Sequence, residues 1–260
     1  CLMAAIDDAT GKILALLFCE SECSWAYLEL LRRVVSRHGI PCSVYQDKHT
    51  ALKRNDQFWC LEEELAGRQE PTQVGLALEA LGVEAIFANS PQAKGRIERL
   101  WKTLQDRLIR EMTLADVSSI EDANAFLPEF IVRFNRRFGR EPQDPESAWV
   151  ELEVDTDLDY YFATSETRVV RQDHTISWYG KAYQILPDEE CMLIAGKRVD
   201  VRVTPEGCTS LYIGRHRLAH KEVETSGPAQ KAVRPRKQPK TPDPGALARR
   251  RAWLFQSNAA

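Results

Sequence analysis

The chain has 260 residues, of which 43% are hydrophobic and 28% charged, with a net charge of −3. This excludes a wholly disordered chain, and the near-neutral balance excludes a globally basic nucleic-acid binder. No apolar run approaches a membrane span and no secretory leader is visible, and seven scattered cysteines fit a reducing, cytoplasmic setting.

Cys1 to Ile6 reads as a strand, Asp7 to Lys12 as a turn with Gly11 free to take positive φ, and Ile13 to Phe18 as the second strand of a hairpin. Glu22 to His38 is an amphipathic helix with Trp25, Leu28, Leu31, Val34 and Val35 at helical spacing, closed by Gly39. Ser43 to Gln46 is a short buried strand ending at Asp47. Lys48 to Glu70 is polar, a loop with one helical turn at most. Thr72 to Leu81 is a helix stopped by Gly82, and Val83 to Ala88 is a strand. The helix that follows, from about Pro91 to Met112, buries Ile97, Leu100, Trp101, Leu104 and Leu108 and carries Glu98 among Lys94, Arg99 and Lys102. A further helix runs from Ser119 to Arg137, with Phe126, Phe130, Val132 and Phe134 as its apolar face.

This order predicts a mixed sheet with helices on its faces, an α/β domain over residues 1–150. Phe138 to Leu158, rich in proline and acids, reads as a linker. Residues 160–222 hold six short β-rich runs broken by Gly180, Pro187, Gly196 and Gly207, which predicts a small barrel or sandwich. Residues 223–260 form a tail; its Lys231 to Arg251 stretch has eight Lys/Arg and one acid, Asp243, a composition equally suited to a nucleic-acid arm and to a solvated tail. A short helix at Ala246 to Phe255 is the only element expected there.

Asp47 ends a strand and Glu98 lies on the helix after the next strand, so both carboxylates can meet at a sheet-edge crevice. Two carboxylates suit Mg²⁺, which keeps its other positions for water and phosphate. By themselves such acids are more often solvated. Cys19 and Cys23 have no second close pair or nearby His, so no zinc site is expected. His49 is either a solvated loop residue or a neighbour of Asp47. Trp178 and Tyr179 read as hairpin core, with base stacking as the other option.

Three stretches, Ala5-Ile6-Asp7-Asp8-Ala9-Thr10-Gly11, Pro41-Cys42-Ser43-Val44-Tyr45-Gln46-Asp47 and Asn89-Ser90-Pro91-Gln92-Ala93-Lys94-Gly95-Arg96-Ile97-Glu98-Arg99, resemble the catalytic domain of DDE transposases and retroviral-type integrases. The chain is most similar to bacterial insertion-sequence transposases of the ISNCY group, over roughly Cys1 to Trp149. The resemblance implies a ribonuclease-H-like fold followed by a small β-barrel, and Mg²⁺- or Mn²⁺-dependent cleavage and transfer of DNA strands during transposition. It makes Asp47 and Glu98 the second and third catalytic and metal-binding carboxylates. Their 51-residue separation exceeds the usual spacing, with the extra length in Lys48 to Glu70. It points to Lys94, Arg99, Lys102, Arg136 and Arg137 as DNA contacts, with transposon ends and target DNA as partners, a nucleoid site of action and a homo-oligomer when complete. The family's first Asp lies on a strand before the hairpin, which this sequence does not contain. Asp7 and Asp8 do not replace it, since they belong to the turn. The resemblance therefore implies a fragment with an exposed edge at Cys1 to Ile6 that does not join DNA strands by itself. The alternative is an inactive remnant that only binds DNA through the barrel and the basic tail.

Overall fold

The computed structural model describes residues 1–47, 49–54, 58–87, 95–186 and 193–223, without the side chain of Arg96. Asn89 to Lys94, Met192 and the basic tail lie outside the described residues.

The chain opens with strands β1 (Leu2–Ile6) and β2 (Ile13–Phe18), an antiparallel hairpin with Ala4 opposite Leu16. Asp7 closes its turn by accepting from Thr10 N at 3.1 Å, which is the structural role expected of it. Helix α1 (Ser24–His38) lies across the hairpin. It buries Ala26, Leu28, Leu30, Leu31, Val34 and Val35, whereas Trp25, expected inside, is 37% exposed. Gly39 then turns the chain at φ +89°, where an added Cβ would lie 2.5 Å from the Val150 carbonyl oxygen. Glycine is required there both by conformation and by this close approach.

Strand β3 (Ile40–Pro41) leads into β4 (Ser43–Gln46). Helix α2 (Leu61–Ala66) occupies the stretch expected as a loop. It is started by a reciprocal cap in which Glu63 accepts from Cys60 N at 2.9 Å. Helix α3 (Gln73–Leu81) has Thr72 as N-cap and Gly82 as a left-handed stop at φ +72°. Strand β5 (Glu84–Phe87) pairs parallel with β4, Gln46 opposite Phe87. Helices α4 (Gly95–Leu114) and α5 (Ile120–Phe138) follow, the latter capped by Ser119. They pack on one face of the hairpin through Leu100, Leu104, Leu108, Leu127, Phe130 and Phe134. Each such side chain, fully buried, contributes roughly 1.5–3 kcal/mol. Val132, expected in this core, is 68% exposed.

The expected mixed sheet is divided. The hairpin and the parallel β4–β5 pair are hydrogen-bonded separately, joined by α1, whose two sides feed the cores over each. The expected linker is not free either. Strand β6 (Trp149–Val150) pairs with β3, and a short helix α6 (Leu158–Tyr161) leads to Phe162, completely buried in the core that also holds Leu28, Val74 and Leu78.

The β-rich part contains β7 (Thr164–Val169), β8 (Thr175–Trp178), β9 (Lys181–Ile185), β10 (Arg198–Val203), β11 (Thr209–Ile213), β12 (His216–Leu218) and β13 (His220–Val223). Among the described residues these form two open sheets, ordered β12-β11-β10-β7 and β13-β9-β8, with no closed barrel. One core, including Ile176, Trp178, Val199, Val201 and Leu211, is shared between them. Residues 1–222 form one compact unit. Within it Gln73 bonds Ser165 through both amide ends, and Arg32 holds Asp159 at 2.7 Å. Among the described residues no helix is long and apolar enough to cross a membrane.

Candidate active site at the end of the parallel strands

Because β4 and β5 run parallel, Asp47 and the chain leaving Phe87 emerge from the same end of the pair. In α/β sheets this carboxyl end is where ligands bind. Asp47 directly follows β4 and is exposed. Its Oδ1 accepts from His49 N at 3.1 Å, an Asx-type turn that fixes the carboxylate relative to the strand.

Glu22, Tyr27 and His49 gather beside it. The Tyr27 hydroxyl donates to Glu22, the Tyr27 and His49 rings lie 6.0 Å apart, and His49 Nδ1 is 3.9 Å from Glu22 Oε1. Burial pushes the Tyr27 hydroxyl far above its ordinary pKa, and the bond to Glu22 and the charges of Glu22 and Asp47 push it further. Tyr27 therefore remains a hydrogen-bond donor throughout the physiological range. Glu22 and Tyr27 are five residues apart, with no motif to join them. Glu22 lies just before α1 and Tyr27 in its first turn, so their bond is local, and the packing of α1 brings the pair to His49 and Asp47.

Glu98 stands in the first turn of α4, exposed, where a helix N-terminus favours negative charge. Lys102 is one turn further along and also exposed, so it accompanies Glu98 on one flank of the helix. Arg99 folds back on its own helix, Nε donating to the Gly95 carbonyl at 3.0 Å. Lys94 lies outside the described residues. Arg136 and Arg137 fall in the last turn of α5, both exposed. Only Arg137 lines the cleft between α4 and α5. Among the described residues no group of three or more His, Cys, Asp or Glu is arranged to hold a metal.

The chain is thus an α/β body with an acid at the open end of its parallel strands, an acid on the following helix, and a β-rich part docked alongside. No family profile matches it. It is 34% identical over 221 residues, 85% of its length, to a Sinorhizobium fredii protein named "Putative transposase y4bF". It is 33% identical over 189 residues, 73% of its length, to the transposase for insertion sequence IS1202 of Streptococcus pneumoniae. These similarities support a place in a transposase family. The chain spans 47% and 39% of the lengths of these relatives.

Proposed function

We propose that this chain contributes the catalytic part of a DDE-type transposase with a ribonuclease-H-like core, acting on the DNA of transposon ends and target as a homo-oligomer. The observation that carries the reading is the position of Asp47 at the carboxyl end of the parallel β4–β5 pair, the end at which β5 also finishes, with Glu98 in the first turn of the next described helix. The two transposase relatives, matched across most of the chain, support it.

The donor set, two exposed carboxylates, suits a hard cation such as Mg²⁺ or Mn²⁺, which accepts one or two protein carboxylates and retains waters. When bound, such ions stabilise the attacking and leaving oxygens of a phosphodiester. Asp47 and Glu98 would hold the metal. The His49 N–H keeps the Asp47 carboxylate oriented, and the Tyr27 hydroxyl, on a half-buried ring, fixes Glu22 so that it does not swing freely beside Asp47. Lys102 binds a phosphate next to Glu98. A third carboxylate, on a strand paired to the outer edge of β1, completes the set in this reading.

The test is transposition in cells of the element whose gene encodes this chain, with Asp47→Asn or Glu98→Gln introduced. Each is expected to lower the frequency by at least about a hundredfold, the order seen when preorganised electrostatic stabilisation is removed from a transition state. Transposition within twofold of the parent would refute the assignment of the altered residue.

A further inference from the structure

Where α4 packs on α5 there is a second basic feature, on the flank of α4 away from Glu98. Arg107 follows Glu98 by nine residues, about half a turn of phase at ~100° per residue, so the two leave the helix on opposite sides of the buried Leu100, Leu104 and Leu108 stripe. There the helices enclose a cleft of about 240 Å³ lined by Arg107, Glu111, Arg133, Arg137 and the rings of Phe130, Phe134 and Phe138.

The single carboxylate of this cleft is occupied. Arg133 bonds Glu111 at 2.8 Å and also bridges to Glu129. Arg107 and Arg137 have no acidic partner among the described residues. Both instead stack near Phe138, with guanidinium carbons 5.0 and 5.6 Å from its ring centroid. Stacking fixes the plane of a guanidinium and leaves its N–H fork to a planar or tetrahedral oxyanion. Attraction to the carboxyl end of α5 accounts for Arg137 but not for Arg107, which sits in the middle of α4. Three guanidiniums against Glu111 and the neighbouring Glu129 leave a surplus of one positive charge, carried on the Arg107 and Arg137 side, a setting for bidentate phosphate binding.

We propose that Arg107 and Arg137 bind a backbone phosphate of DNA in this cleft, as a contact separate from the Asp47 and Glu98 end. This rests on the reading of the chain as a protein that acts on DNA, but it requires neither metal nor catalysis. The test is fluorescence anisotropy of a labelled random-sequence duplex with the full chain, in chelator, across a series of KCl concentrations. Arg107→Gln/Arg137→Gln is expected to weaken binding uniformly across duplex sequences and to reduce the slope of log K against log [KCl] by about 1. Arg137→Lys, which keeps the charge but loses the stacked fork, falls between. Arg110→Gln, which removes a cation ion-paired to Asp106 outside the cleft, stays close to the parent. If the double variant melts early, Arg137→Gln alone, at an exposed position, carries the test with a slope change of about 1. Parental affinity and slope in the folded variants, an equal loss in Arg110→Gln, an altered oligomeric state in place of altered DNA binding, or no duplex binding by the parent would each overturn the proposal. The binding is read in chelator and needs no metal at Asp47 and Glu98, so a failed catalytic assignment and a failed phosphate site give different results.

Discussion

Asn124 and Asn135 lie eleven residues apart on α5, about three helical turns, and each clamps the outer edge of β2 with both ends of its amide. Asn135 accepts from Ile13 N at 2.7 Å and donates to Ile13 O at 2.8 Å, and Asn124 makes the same pair of bonds to Phe18 at 2.9 Å each. Asn135→Ala is expected to cost about 1–3 kcal/mol, since both backbone groups of Ile13 lose a partner in partly buried surroundings, and chemical denaturation would measure it. Glu63 is the corresponding anchor of the loop before α3. It is 3% exposed and accepts from Cys60 N and from Glu70 N, with Arg54 against it. Those two backbone donors, ahead of the Arg54 charge, hold its carboxyl below the ordinary value of 4.5. A depressed carboxylate stabilises the fold above its unfolded pKa, and that stabilisation is lost as pH falls through the folded value. Amide exchange in residues 60–70 is therefore expected to accelerate once the pH drops below 4.5, and Glu63→Gln should lose this pH dependence. Neither role shows in the sequence. An asparagine on a helix and one acid among three, Glu62 to Glu64, carry no local mark of a long-range partner.

The elements that sequence alone places well are those with a strong period and a clear stop. The hairpin, α1 with Gly39, β4, and α3 between Thr72 and Gly82 match their expected bounds to within two residues. What it does not place depends on partners far along the chain. The two-residue strands β3 and β6 are too short to show a period and exist because they pair with each other, across Gly39. Helix α2 starts on a cysteine, not on a usual N-cap residue, with Glu63 supplying the reciprocal bond. Five of the six β-rich runs fall on strands, but Leu193 and Ile194 of the sixth do not, β12 and β13 were not expected, and the division into two sheets is a matter of pairing and not of pattern. The two edges of the hairpin also differ in a way that no sequence period reports. The outer edge of β2 is closed by Asn124 and Asn135, together with Arg33 donating to Leu16 O and His38 donating to Leu14 O. Strand β1 pairs with β2 alone among the described residues. With the far edge of β2 closed, any further strand added to the hairpin pairs with β1. Gly39→Ala, adding a methyl both at positive φ and against the Val150 carbonyl, is expected to separate β3 from β6, seen as lost protection of Cys42 N, which bonds Ala148 O at 3.0 Å.

At the scale of the whole molecule, residues 1–222 fold as one unit although composition suggested a linker at 138–158. Phe162, at the start of the β-rich part, is completely buried in the α/β core with Leu28 and Leu78. Phe162→Ala is expected to cost about 3–5 kcal/mol and to lower the melting of both parts together in a single transition, whereas two separated transitions would show that the parts fold independently. The candidate site follows the same logic of scale. Asp47 and Glu98 are each singled out by a motif and His49 by its nearness in sequence to Asp47, while Glu22 and Tyr27 come beside Asp47 only through the packing of α1. Asp47 and Glu98 are proposed to hold one metal between them, and titration of the chain with Mn²⁺, followed calorimetrically, tests this most directly. Binding should be lost in Asp47→Asn and equally in Glu98→Gln, with both variants folded. Mn²⁺ binding that survives unchanged in either variant would contradict it.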